Sequence, residues 1–491
     1  MVLLKISNIL TQIDGYLPRP VKKQLTDDLS FLIKDADFVM RALEDKARKK
    51  LIALHGAAGY TMPLPFTWDG RRKFFDEGNR TFPTGFYSRV HAIMAAHGLE
   101  FDTVDLRPIP PETQNFTFNG PQLRDYQEKV VMDAIARQRG IINLPTGAGK
   151  TVVIGAILAR LNRRAIVLIH RETIFNQLVE RLSGYLGIEV GQIGAGKFID
   201  GQIVVAMAQT VTQPQYLEWL KQFPVLICDE VHVFPAETFN SVLNSCTNAY
   251  YRFGTSATPD REDKGEMFLE AALGGFISRM GPSELIEQGH LIAPKIIFVD
   301  VPKEPKWDTL SFPAQYKKCV VENEYRNSMI ADIANEFKVV GRTGLITVTQ
   351  INHGATLFKL IKSRYPDIRI CFLKGDDDSE DKRNAIRQLN KHELDIIVGT
   401  SIFNIGVDIP SLGCIVNAKA NDSNIETLQL IGRMLRTDAG KDSAIYVDFM
   451  DGNHYLKQHA AKRFNTLKAE RAFELARVSN IKECRDELNI L

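Results

Sequence analysis

The stretch Ile141-Ile-Asn-Leu-Pro-Thr-Gly-Ala-Gly-Lys-Thr151 decides the fold of this chain of 491 residues. Its apolar start suits a buried strand and stops at Leu144 and Pro145. Apolar residues then recur with helical spacing from Thr151 to Leu161. Glycines at 147 and 149 allow a tight turn between the two patterns. The stretch therefore predicts a strand, a phosphate-binding loop and a helix.

The residue types of this loop suit the binding of a polyphosphate. Backbone N–H groups of a glycine-rich turn at a helix N-terminus point towards an anion. Lys150 can reach the β- and γ-phosphates, and the Thr151 hydroxyl can ligate Mg²⁺. Leu144 stands where the standard pattern has its first glycine. The residues that we expect to hold the phosphates are Pro145, Thr146, Gly147, Ala148, Gly149, Lys150 and Thr151.

A second stretch, Gly191-Gln-Ile-Gly-Ala-Gly-Lys197, has better glycine spacing but lacks the hydroxyl that the metal requires. Phe198 follows the lysine, and short strand-like runs lie on both sides. We predict a hairpin turn here and no phosphate site.

Composition bounds the class of protein. Hydrophobic residues make up 44% and charged residues 24%, which is ordinary for a soluble globular protein. The length allows roughly two to four domains. The net charge of +2 means that a polyanion would need a local basic surface, so charge neither proves nor excludes nucleic acid.

Cysteine spacing and apolar run length bear on the compartment. The six cysteines include no C-x-x-C pair, which argues against a zinc site and a disulfide framework and fits a reducing compartment. No apolar run is long enough to cross a bilayer, and no cleavage site follows the apolar N-terminus. We expect a soluble, non-exported, cytoplasmic protein.

Two series of short apolar runs alternate with helix-length amphipathic segments. The first comprises 165–169, 203–206, 225–228 and 251–254; the second comprises 344–348, 370–373, 396–399, 414–417 and 444–449. This alternation predicts an α/β protein with two parallel sheets and crossover helices. Ligands of such sheets bind outside the carboxyl ends of the strands.

The N-terminal residues precede any nucleotide motif. Helix-like patterns cover 25–38, 39–55 and 88–97. Between them, Trp68 and neighbouring aromatics are interleaved with Arg71 and Arg72 and could lie along a nucleic-acid backbone. Equally, Trp68, Phe74, Phe75 and Phe86 could form the core of a small α+β domain. Composition leaves both alternatives open.

Breaks in periodicity mark the remaining boundaries. The proline-rich segment 107–121 predicts a linker, and residues 303–322 form a poorly periodic insertion. After Asp451 the chain has the pattern of a helical tail.

Two carboxylates follow the buried run Val225-Leu-Ile-Cys228. In phosphate-loop enzymes the strand-end aspartate, here Asp229, helps to hold Mg²⁺. A neighbouring carboxylate such as Glu230 can activate the attacking water. Together with Lys150 and Thr151, this pair predicts phosphoryl-transfer chemistry.

These motifs, taken in order, resemble those of the superfamily 2 helicases of the DExH type. The similarity rests on the phosphate loop, Asp229-Glu-Val-His232, Thr255-Ser-Ala-Thr-Pro259 and Gln429-Leu-Ile-Gly-Arg-Met-Leu-Arg436, and covers about 123–448. The resemblance implies two tandem RecA-like parallel-sheet domains with ATP in the cleft between them, a small α+β N-terminal accessory domain and a helical C-terminal tail. The implied ranges are 1–115 for a DNA-binding-like accessory domain, 116–292 for an ATP-binding RecA-like domain, 293–450 for a second RecA-like domain and 451–491 for the tail.

The resemblance also implies roles for individual residues. Gln127 would recognise adenine, and His232 and Gln429 would link the nucleotide to the moving interface. Arg433 and Arg436 would act as arginine fingers, and the spacing of 429, 432, 433 and 436 places them on one helix face. The implied catalytic residues are Lys150, Asp229, Glu230, Gln429, Arg433 and Arg436; Thr151 and Asp229 would ligate Mg²⁺.

Further motif positions would couple hydrolysis to movement along a strand. Ser256 and Thr258 match the coupling motif, and Thr400, Gly406 and Asp408 match a second-domain motif that touches nucleotide and strand. The positions expected to meet the phosphate backbone are Gln209, Thr210, His170 and Arg171, although His170 could equally be a buried or capping residue. Such contacts would make translocation independent of sequence.

Within this superfamily, Leu123-Arg-Asp-Tyr-Gln127 and the short second domain are similar to the group of phage UvsW-type enzymes, XPB and restriction translocases. Trp68-Asp-Gly-Arg and Phe82-Pro-Thr-Gly-Phe resemble the accessory domain of the UvsW type. The implied function is an ATP- and Mg²⁺-dependent DNA helicase that remodels branched or forked DNA in phage replication, recombination and repair. It would act as a monomer in the host cytoplasm, with replication or recombination proteins as candidate partners.

Three alternatives stay open at this point. The chain could be an RNA helicase, for which contacts to 2′-hydroxyls would be the discriminator. It could be the motor subunit of a restriction-type complex. It could also be a non-catalytic nucleic-acid clamp, although intact Lys150, Asp229, Glu230, Arg433 and Arg436 speak against a degenerate motor.

Overall fold

A computed structural model describes most of the chain. The described residues are 2–33, 36–56, 58, 61–63, 68–112, 116–234, 236–257, 266–400, 409–436, 441 and 443–489, without the side chains of 173, 236–240, 379 and 489. Within these ranges, every helix is too short or too polar to span a lipid bilayer.

The N-terminal region is a small α+β assembly. Its strands are β1 (Val2–Ile6), β2 (Leu10–Asp14), β3 (Ser30–Leu32), β4 (Arg71–Lys73), β5 (Thr81–Pro83) and β6 (Phe101–Asp105), and its helices are α1 (Arg19–Asp28), α2 (Ala36–His55) and α3 (Tyr87–Ala96). One sheet has the order β5-β2-β1-β6, and β3 pairs with β4. Phe75, Phe82 and Phe86 are buried in its core, whereas Arg71 and Arg72 are exposed. Phe75 and Phe86 are thus core residues, as one of the two alternatives predicted.

The helix predicted over 25–38 is wrong. Helix α1 ends at Asp28, and Ser30–Leu32 forms a strand antiparallel to Arg71–Lys73. The Phe31 ring packs edge-on against the Phe268 ring, with 5.5 Å between the ring centres. A contact with a residue more than two hundred positions away therefore overrides the local helical spacing. The helices predicted over 39–55 and 88–97 are confirmed as α2 and α3, each beginning earlier than predicted.

The next region carries the first parallel sheet. Its strands are β7 (Arg139–Asn143), β8 (Ala165–Ile169), β9 (Gly191–Gly194), β10 (Lys197–Ile199), β11 (Ile203–Met207), β12 (Val225–Cys228), β13 (Tyr251–Ser256) and β14 (Phe276–Arg279). Its helices are α4 (Asp125–Arg137), α5 (Lys150–Leu161), α6 (Glu172–Leu186), α7 (Ala208–Val211), α8 (Pro214–Leu217), α9 (Ala236–Ser245) and α10 (Glu266–Leu273). The strand order is β10-β9-β11-β8-β12-β13-β7-β14. The hairpin predicted at 191–197 is confirmed, because β9 and β10 pair antiparallel.

The last region carries the second parallel sheet. Its strands are β15 (Pro294–Val301), β16 (Thr343–Thr347), β17 (Ile370–Leu373), β18 (Ile396–Gly399), β19 (Leu412–Asn417), β20 (Ala444–Asp451) and β21 (Glu474–Val478). Its helices are α11 (Pro282–Glu287), α12 (Phe312–Tyr316), α13 (Glu324–Val339), α14 (Ile351–Arg364), α15 (Ser379–Asn390), α16 (Asn424–Met434), α17 (His454–Lys468) and α18 (Ile481–Asn489). The strand order is β17-β18-β16-β19-β20-β15-β21.

The C-terminal tail is helical, as predicted, and also contributes an edge strand. Strand β21 pairs parallel with β15. Its sequence, Glu-Leu-Ala-Arg-Val, is mostly exposed or half-buried and contains no run of apolar residues. Only pairing with β15 reveals it as a strand, because an edge strand needs little burial of its side chains.

The chain divides into two compact units. The first comprises residues 1–143 and 151–279, and the second comprises 144–150 and 280–491. In each unit, the buried strand residues of the large sheet form an apolar core. The N-terminal assembly shares its core with Ala271 of α10 and thus belongs to the first unit. The domain boundaries at 115, 292 and 450 remain predictions.

Candidate nucleotide and nucleic-acid sites

The predicted phosphate loop forms a glycine-dependent turn between β7 and α5. Gly147 and Gly149 have φ angles of +89° and +77°, a region that favours glycine because it has no Cβ. The Ala148 amide donates to the Pro145 carbonyl oxygen at 3.2 Å. The Lys150 Nζ lies 3.4 Å from the Leu144 carbonyl oxygen. Helix α5 begins at Lys150, so Thr151 lies in its first turn, where backbone N–H groups suit a phosphate.

Asp229 lies at the end of β12 and is held by neighbouring residues of the first unit. Its amide donates to the Leu168 carbonyl oxygen at 2.9 Å. Its Oδ1 accepts hydrogen bonds from the Thr255 hydroxyl and from the Glu230 amide, the latter at 3.0 Å. Carboxylate and hydroxyl oxygens are the protein ligands that Mg²⁺ prefers, so Asp229 and Thr151 fit this ion.

Glu230 adopts an uncommon backbone conformation. Its φ of +51° lies in the left-handed region, which is unfavourable for a residue with a Cβ. Such outliers persist where surrounding contacts hold them and are frequent at functional sites. Its Oε2 lies 3.4 Å from His232 Nδ1.

His232 connects this carboxylate motif to the end of β13. Its Nδ1 lies 2.9 Å from the Ser256 hydroxyl oxygen. The Asn143 side-chain amide donates to the carbonyl oxygens of Ser256 and Ala257, each at 3.1 Å. The ends of β7, β12 and β13 are thus joined by side-chain hydrogen bonds. Sequence reasoning missed Asn143 and the role of Thr255; the available signal was a polar residue that ends an apolar strand.

Gln127 has a structural role at the start of α4. It is 4% exposed, and its Oε1 accepts a hydrogen bond from the Arg124 amide at 3.0 Å. This is half of a capping box, which satisfies an N–H group at the helix N-terminus. Its contact with adenine remains a prediction.

Gln429 and Arg433 lie on α16 in the second unit. The prediction that Arg436 continues the same helix face is wrong, because α16 ends at Met434 and Arg436 forms an isolated bridge with Leu291. The Leu435 carbonyl accepts a hydrogen bond from the Ile292 amide at 2.8 Å. This strand-like pairing replaces the next helical turn.

Helix α16 packs against the phosphate loop within the second unit. A Cβ added at Gly432 would lie 2.6 Å from the Thr146 Cβ. A Cβ added at Gly147 would lie 3.3 Å from the Arg436 Cγ. The structure therefore brings the loop close to the segment that carries the predicted arginine fingers.

The candidate backbone contacts of the first sheet lie side by side. His170 and Arg171 follow β8, and Gln209 and Thr210 lie on α7 after β11, which pairs with β8. The Gln209 side-chain amide donates to the His170 carbonyl oxygen at 3.2 Å. The centres of the His170 and Phe234 rings are 5.9 Å apart. Burial, and then the positive charge of Arg171, lowers the pKa of His170, which agrees with a partly buried histidine.

Trp68, Arg71 and Arg72 lie at an open groove of about 640 Å³, and Ile33, Asp69 and Lys73 are also among the described residues that line it. The Trp68 indole donates to the Arg71 carbonyl oxygen at 2.9 Å. The Arg71 guanidinium donates to the Ser30 hydroxyl at 2.8 Å, and that of Arg72 lies 5.8 Å from the centre of the Phe268 ring. The aromatic and basic side chains thus share one surface.

The remaining second-sheet motif is described only in part. Thr400 follows β18, is buried, and its amide lies 3.4 Å from the Leu373 carbonyl oxygen. Thr258, Gly406 and Asp408 lie outside the described residues. Their predicted roles therefore stay predictions.

Comparison with known proteins agrees with this arrangement. Residues 120–261 match the family described as "Type III restriction enzyme, res subunit", and residues 327–438 match "Helicase conserved C-terminal domain". The chain is 28% identical over 418 residues to the ATP-dependent DNA helicase uvsW of Enterobacteria phage T4, covering 78% of this chain and 82% of that protein. The chain belongs to the superfamily 2 helicases. It is an ATP-dependent helicase.

Two further similarities fit this assignment. The helicase is 26% identical over 373 residues to the DNA 3'-5' translocase XPB2 of Sulfurisphaera tokodaii, covering 69% of its own length and 83% of the relative. A fragment structure of a putative HsdR subunit of a type I restriction enzyme from Vibrio vulnificus matches with a TM-score of 0.55 at 20% identity, covering 72% of the helicase and 68% of that chain. The structural likeness concerns the fold alone. The two tandem RecA-like domains predicted from the sequence are confirmed.

Proposed function

We propose that this helicase is a Mg²⁺- and ATP-dependent DNA helicase or translocase that remodels branched DNA by fork regression, branch migration, unwinding or annealing. The observation that carries the proposal is the hydrogen-bonded set Asp229–Thr255 and His232–Ser256. These hydrogen bonds connect the Asp229-Glu230 carboxylate pair, which we expect next to the nucleotide phosphates, to the end of β13, which we expect to transmit movement. The relatives from phage T4 and Sulfurisphaera tokodaii are named for action on DNA, and this supports DNA as the substrate.

In this proposal the loop 145–151 holds the nucleotide phosphates. Thr151 and Asp229 would hold Mg²⁺, which neutralises phosphate charge when bound. Lys150 neutralises further charge, and Glu230 orients the attacking water and accepts its proton. Arg433 and Arg436 stabilise the negative charge that develops on the transferred phosphoryl group.

Coupling would pass through His232 and Ser256. A change at the γ-phosphate that moves Glu230 also moves His232, because Glu230 Oε2 lies 3.4 Å from His232 Nδ1. The same Nδ1 contacts the Ser256 hydroxyl, so the end of β13 follows. Gln429 would sense the nucleotide from α16.

Contacts with the strand would involve its phosphates. Arg171, Gln209 and Thr210 present polar groups at the carboxyl ends of adjacent strands, and Arg71 and Arg72 offer a basic surface beside Trp68. Contacts to phosphates position a protein without reading bases. Translocation is therefore expected to be independent of sequence.

The proposal is tested by steady-state ATP hydrolysis with single-stranded DNA, duplex DNA, a model fork, a four-way junction and RNA. Glu230→Gln should lower turnover by about 10²- to 10⁴-fold, the usual contribution of a general base, while nucleotide binding persists. Glu218→Gln, an exposed change in the same unit, is the control. Stimulation by RNA alone would show that the substrate is RNA and not DNA. The absence of ATP turnover with every nucleic acid would refute the proposal that the protein is an ATP-driven motor.

Selectivity for branched DNA is tested at the Trp68 groove. The double change Arg71→Ala and Arg72→Ala should weaken binding to forks more than binding to single strands. Arg80→Ala removes an exposed arginine elsewhere in the N-terminal region and is the matched control. An equal loss of affinity for forks and for single strands, or an unchanged affinity for forks, would show that this groove does not select branched DNA.

The insertion 303–322 is a second candidate for steering the fork. It contains the turn Pro305–Trp307, helix α12 and the π-helical segment Lys317–Val321. Lys306 Nζ lies 4.8 Å and Lys318 Nζ lies 5.7 Å from the centre of the Trp307 ring. Replacing both lysines by alanine should lower fork unwinding while ATP hydrolysis on single-stranded DNA persists. Intact fork unwinding would exclude the insertion from this role.

A further inference from the structure

The loop from Ala418 to Ser423 connects β19 to α16, the helix that carries Gln429 and Arg433. Ala420 is fully buried and has a φ of +50°. An alanine in the left-handed region is strained, and such a conformation persists only where surrounding contacts hold it. The structure shows which contacts these are.

Side chains from two other helices hold the carbonyl oxygens of this loop. Arg326 of α13 donates from Nη1 to the Ala418 carbonyl at 3.1 Å. His459 of α17 places Nδ1 at 3.3 Å from the Ala420 carbonyl oxygen. Arg463, also on α17, donates from Nη1 to the Asn421 carbonyl. The loop is therefore fixed on both sides of its strained residue.

Arg463 is itself held in place by the carboxylate of Asp448. It is fully buried, and its Nε and Nη2 donate to the two carboxylate oxygens of Asp448 at 2.9 and 2.8 Å. The same carboxylate accepts hydrogen bonds from the Tyr446 hydroxyl and the Asn417 side-chain amide, each at 3.0 Å. A planar guanidinium can make a two-point contact with a carboxylate and still donate elsewhere, which a lysine cannot reproduce.

The loop is in turn tied to the first turn of α16. The Ser423 hydroxyl accepts a hydrogen bond from the Glu426 amide at 3.2 Å and caps the helix. The Glu426 carboxylate pairs with the side chains of Lys419 and Asn421. Gln429 and Arg433 follow Glu426 by three and seven residues, so a shift of the loop would move both along with the helix.

We propose that Arg463 is a positioning residue for Gln429 and Arg433, acting through the Asn421 carbonyl and the strained turn at Ala420. The inference rests on the proposed role of α16 in phosphoryl transfer. Helix α17 lies beyond residues 327–438, which match the conserved helicase domain. The C-terminal extension of this chain is therefore part of the machinery that orients the catalytic arginine.

The test compares Arg463→Lys with Lys295→Met. The first keeps a charge next to Asp448 but loses the simultaneous contact with the Asn421 carbonyl. The second removes another buried cation of the same unit, which pairs with Glu487 of α18 at 2.8 Å and does not touch the loop. We expect Arg463→Lys to lower DNA-stimulated kcat by roughly tenfold or more, as misplacement of a catalytic group does, with KM for ATP little changed. Lys295→Met should lower the Tm and leave kcat unchanged.

Hydrogen exchange over residues 418–434 gives a readout besides activity. Exchange there should rise in Arg463→Lys and stay at the wild-type level in Lys295→Met. Unchanged exchange in Arg463→Lys would overturn the inference whether or not the enzyme turns over. Raised exchange with a normal kcat would overturn it as well. If ATP turnover of the wild type were as low as that of Glu230→Gln, the proposed function would be refuted instead of this inference.

Discussion

At the scale of single residues, the site is defined by side chains that hold one another at the ends of strands. Thr255 and the Glu230 amide fix Asp229, and Asn143 fixes the backbone of Ser256. Asn143, Thr255 and Ser256 are buried, and a buried polar group left without a partner would cost about 1–3 kcal/mol. The position of the Asp229 carboxylate is therefore set by the protein itself, which in the proposed mechanism would reduce the reorganisation needed for catalysis.

Ser256→Ala should uncouple hydrolysis from strand movement. The substitution removes the hydroxyl that lies 2.9 Å from His232 Nδ1, a contact worth about 1 kcal/mol. ATP turnover should stay within a few fold of wild type, while DNA unwound per ATP hydrolysed falls severalfold in a strand-displacement assay. Ser245→Ala, which removes a hydroxyl that donates to the Ser241 carbonyl, is the control. An equal fall in both rates would contradict the coupling role.

His353 should make the stability of the helicase sensitive to acid. Burial, and then the charge of Arg326, lowers its pKa to about 3, below the ordinary value near 6.5. The unfolded chain therefore binds more protons than the native state between these two pH values, so stability is lost as pH falls below about 6.5. The loss between pH 7 and pH 5 is about 2 kcal/mol for this group.

The measurement is urea unfolding of the wild type and of His353→Gln at both pH values. Glutamine can keep the contact with Asn327 but does not titrate, so the variant should lose less stability in acid. His97→Gln, at an exposed position, should behave like the wild type. Identical pH profiles for the wild type and His353→Gln would show that the imidazole does not titrate on unfolding.

At the scale of elements, tertiary contacts decide where helices end. Helix α16 stops at Met434 because the next residues pair with the segment at Leu291 and Ile292. Helix α1 stops at Asp28 because Phe31 packs on Phe268. In both cases the local spacing favours a longer helix, and burial of a distant contact outweighs it.

Substitutions at Ala420 test the strain in the turn before α16. Ala420→Val should lower the free energy of unfolding by about 2 kcal/mol or more, because a β-branched residue tolerates positive φ poorly and adds volume to a packed site. Ala420→Gly should be nearly neutral, since it relieves the strain of roughly 1 kcal/mol while losing a buried methyl group. Thermal unfolding of both variants gives the comparison. Equal stability of the two would mean that the turn is unstrained.

At the scale of the whole chain, the N-terminal assembly is built into the first unit. The Phe74 and Phe31 rings pack on Phe268 of α10 at 5.3 and 5.5 Å, and Arg89 pairs with Glu270. The Asn8 side chain donates to the Thr247 carbonyl at 3.0 Å. These ring contacts, the ion pair and the hydrogen bond attach the N-terminal assembly, and with it the groove at Trp68, to the rest of the first unit.

Gly85→Ala should weaken this docking. A Cβ at position 85 would lie 1.9 Å from the Glu270 carbonyl oxygen and 2.5 Å from that of Ala271. Backbone atoms cannot give way as a flexible side chain can, so a loss of about 1–3 kcal/mol or more is expected. Gly78→Ala, where the nearest atom is an Asp76 oxygen at 3.4 Å, is the control. Limited proteolysis between residues 100 and 125 should accelerate in Gly85→Ala alone; equal rates would contradict tight docking.

Much of the fold follows from local sequence. The apolar runs at 165–169, 225–228, 370–373 and 396–399 match strands β8, β12, β17 and β18 residue for residue. Strands β8, β12 and β18 are buried along their whole length, and strands buried on both faces need continuous apolar side chains. The phosphate loop follows from its glycines, whose positive φ angles are found where a turn requires them. The candidate carboxylates follow from their place directly after a buried strand.

Only the tertiary structure decided the rest. The strands at 30–32 and 474–478, the end of α16 and the contacts of Asn143 and Thr255 depend on partners that are distant in sequence. The same holds for the loop before α16, where Arg326, His459 and Arg463 come from two helices to contact the carbonyl groups of Ala418, Ala420 and Asn421. Local spacing carries information on burial and turn geometry. It carries none on which distant polar groups will meet, because that pairing is set by the packing of the sheets and helices.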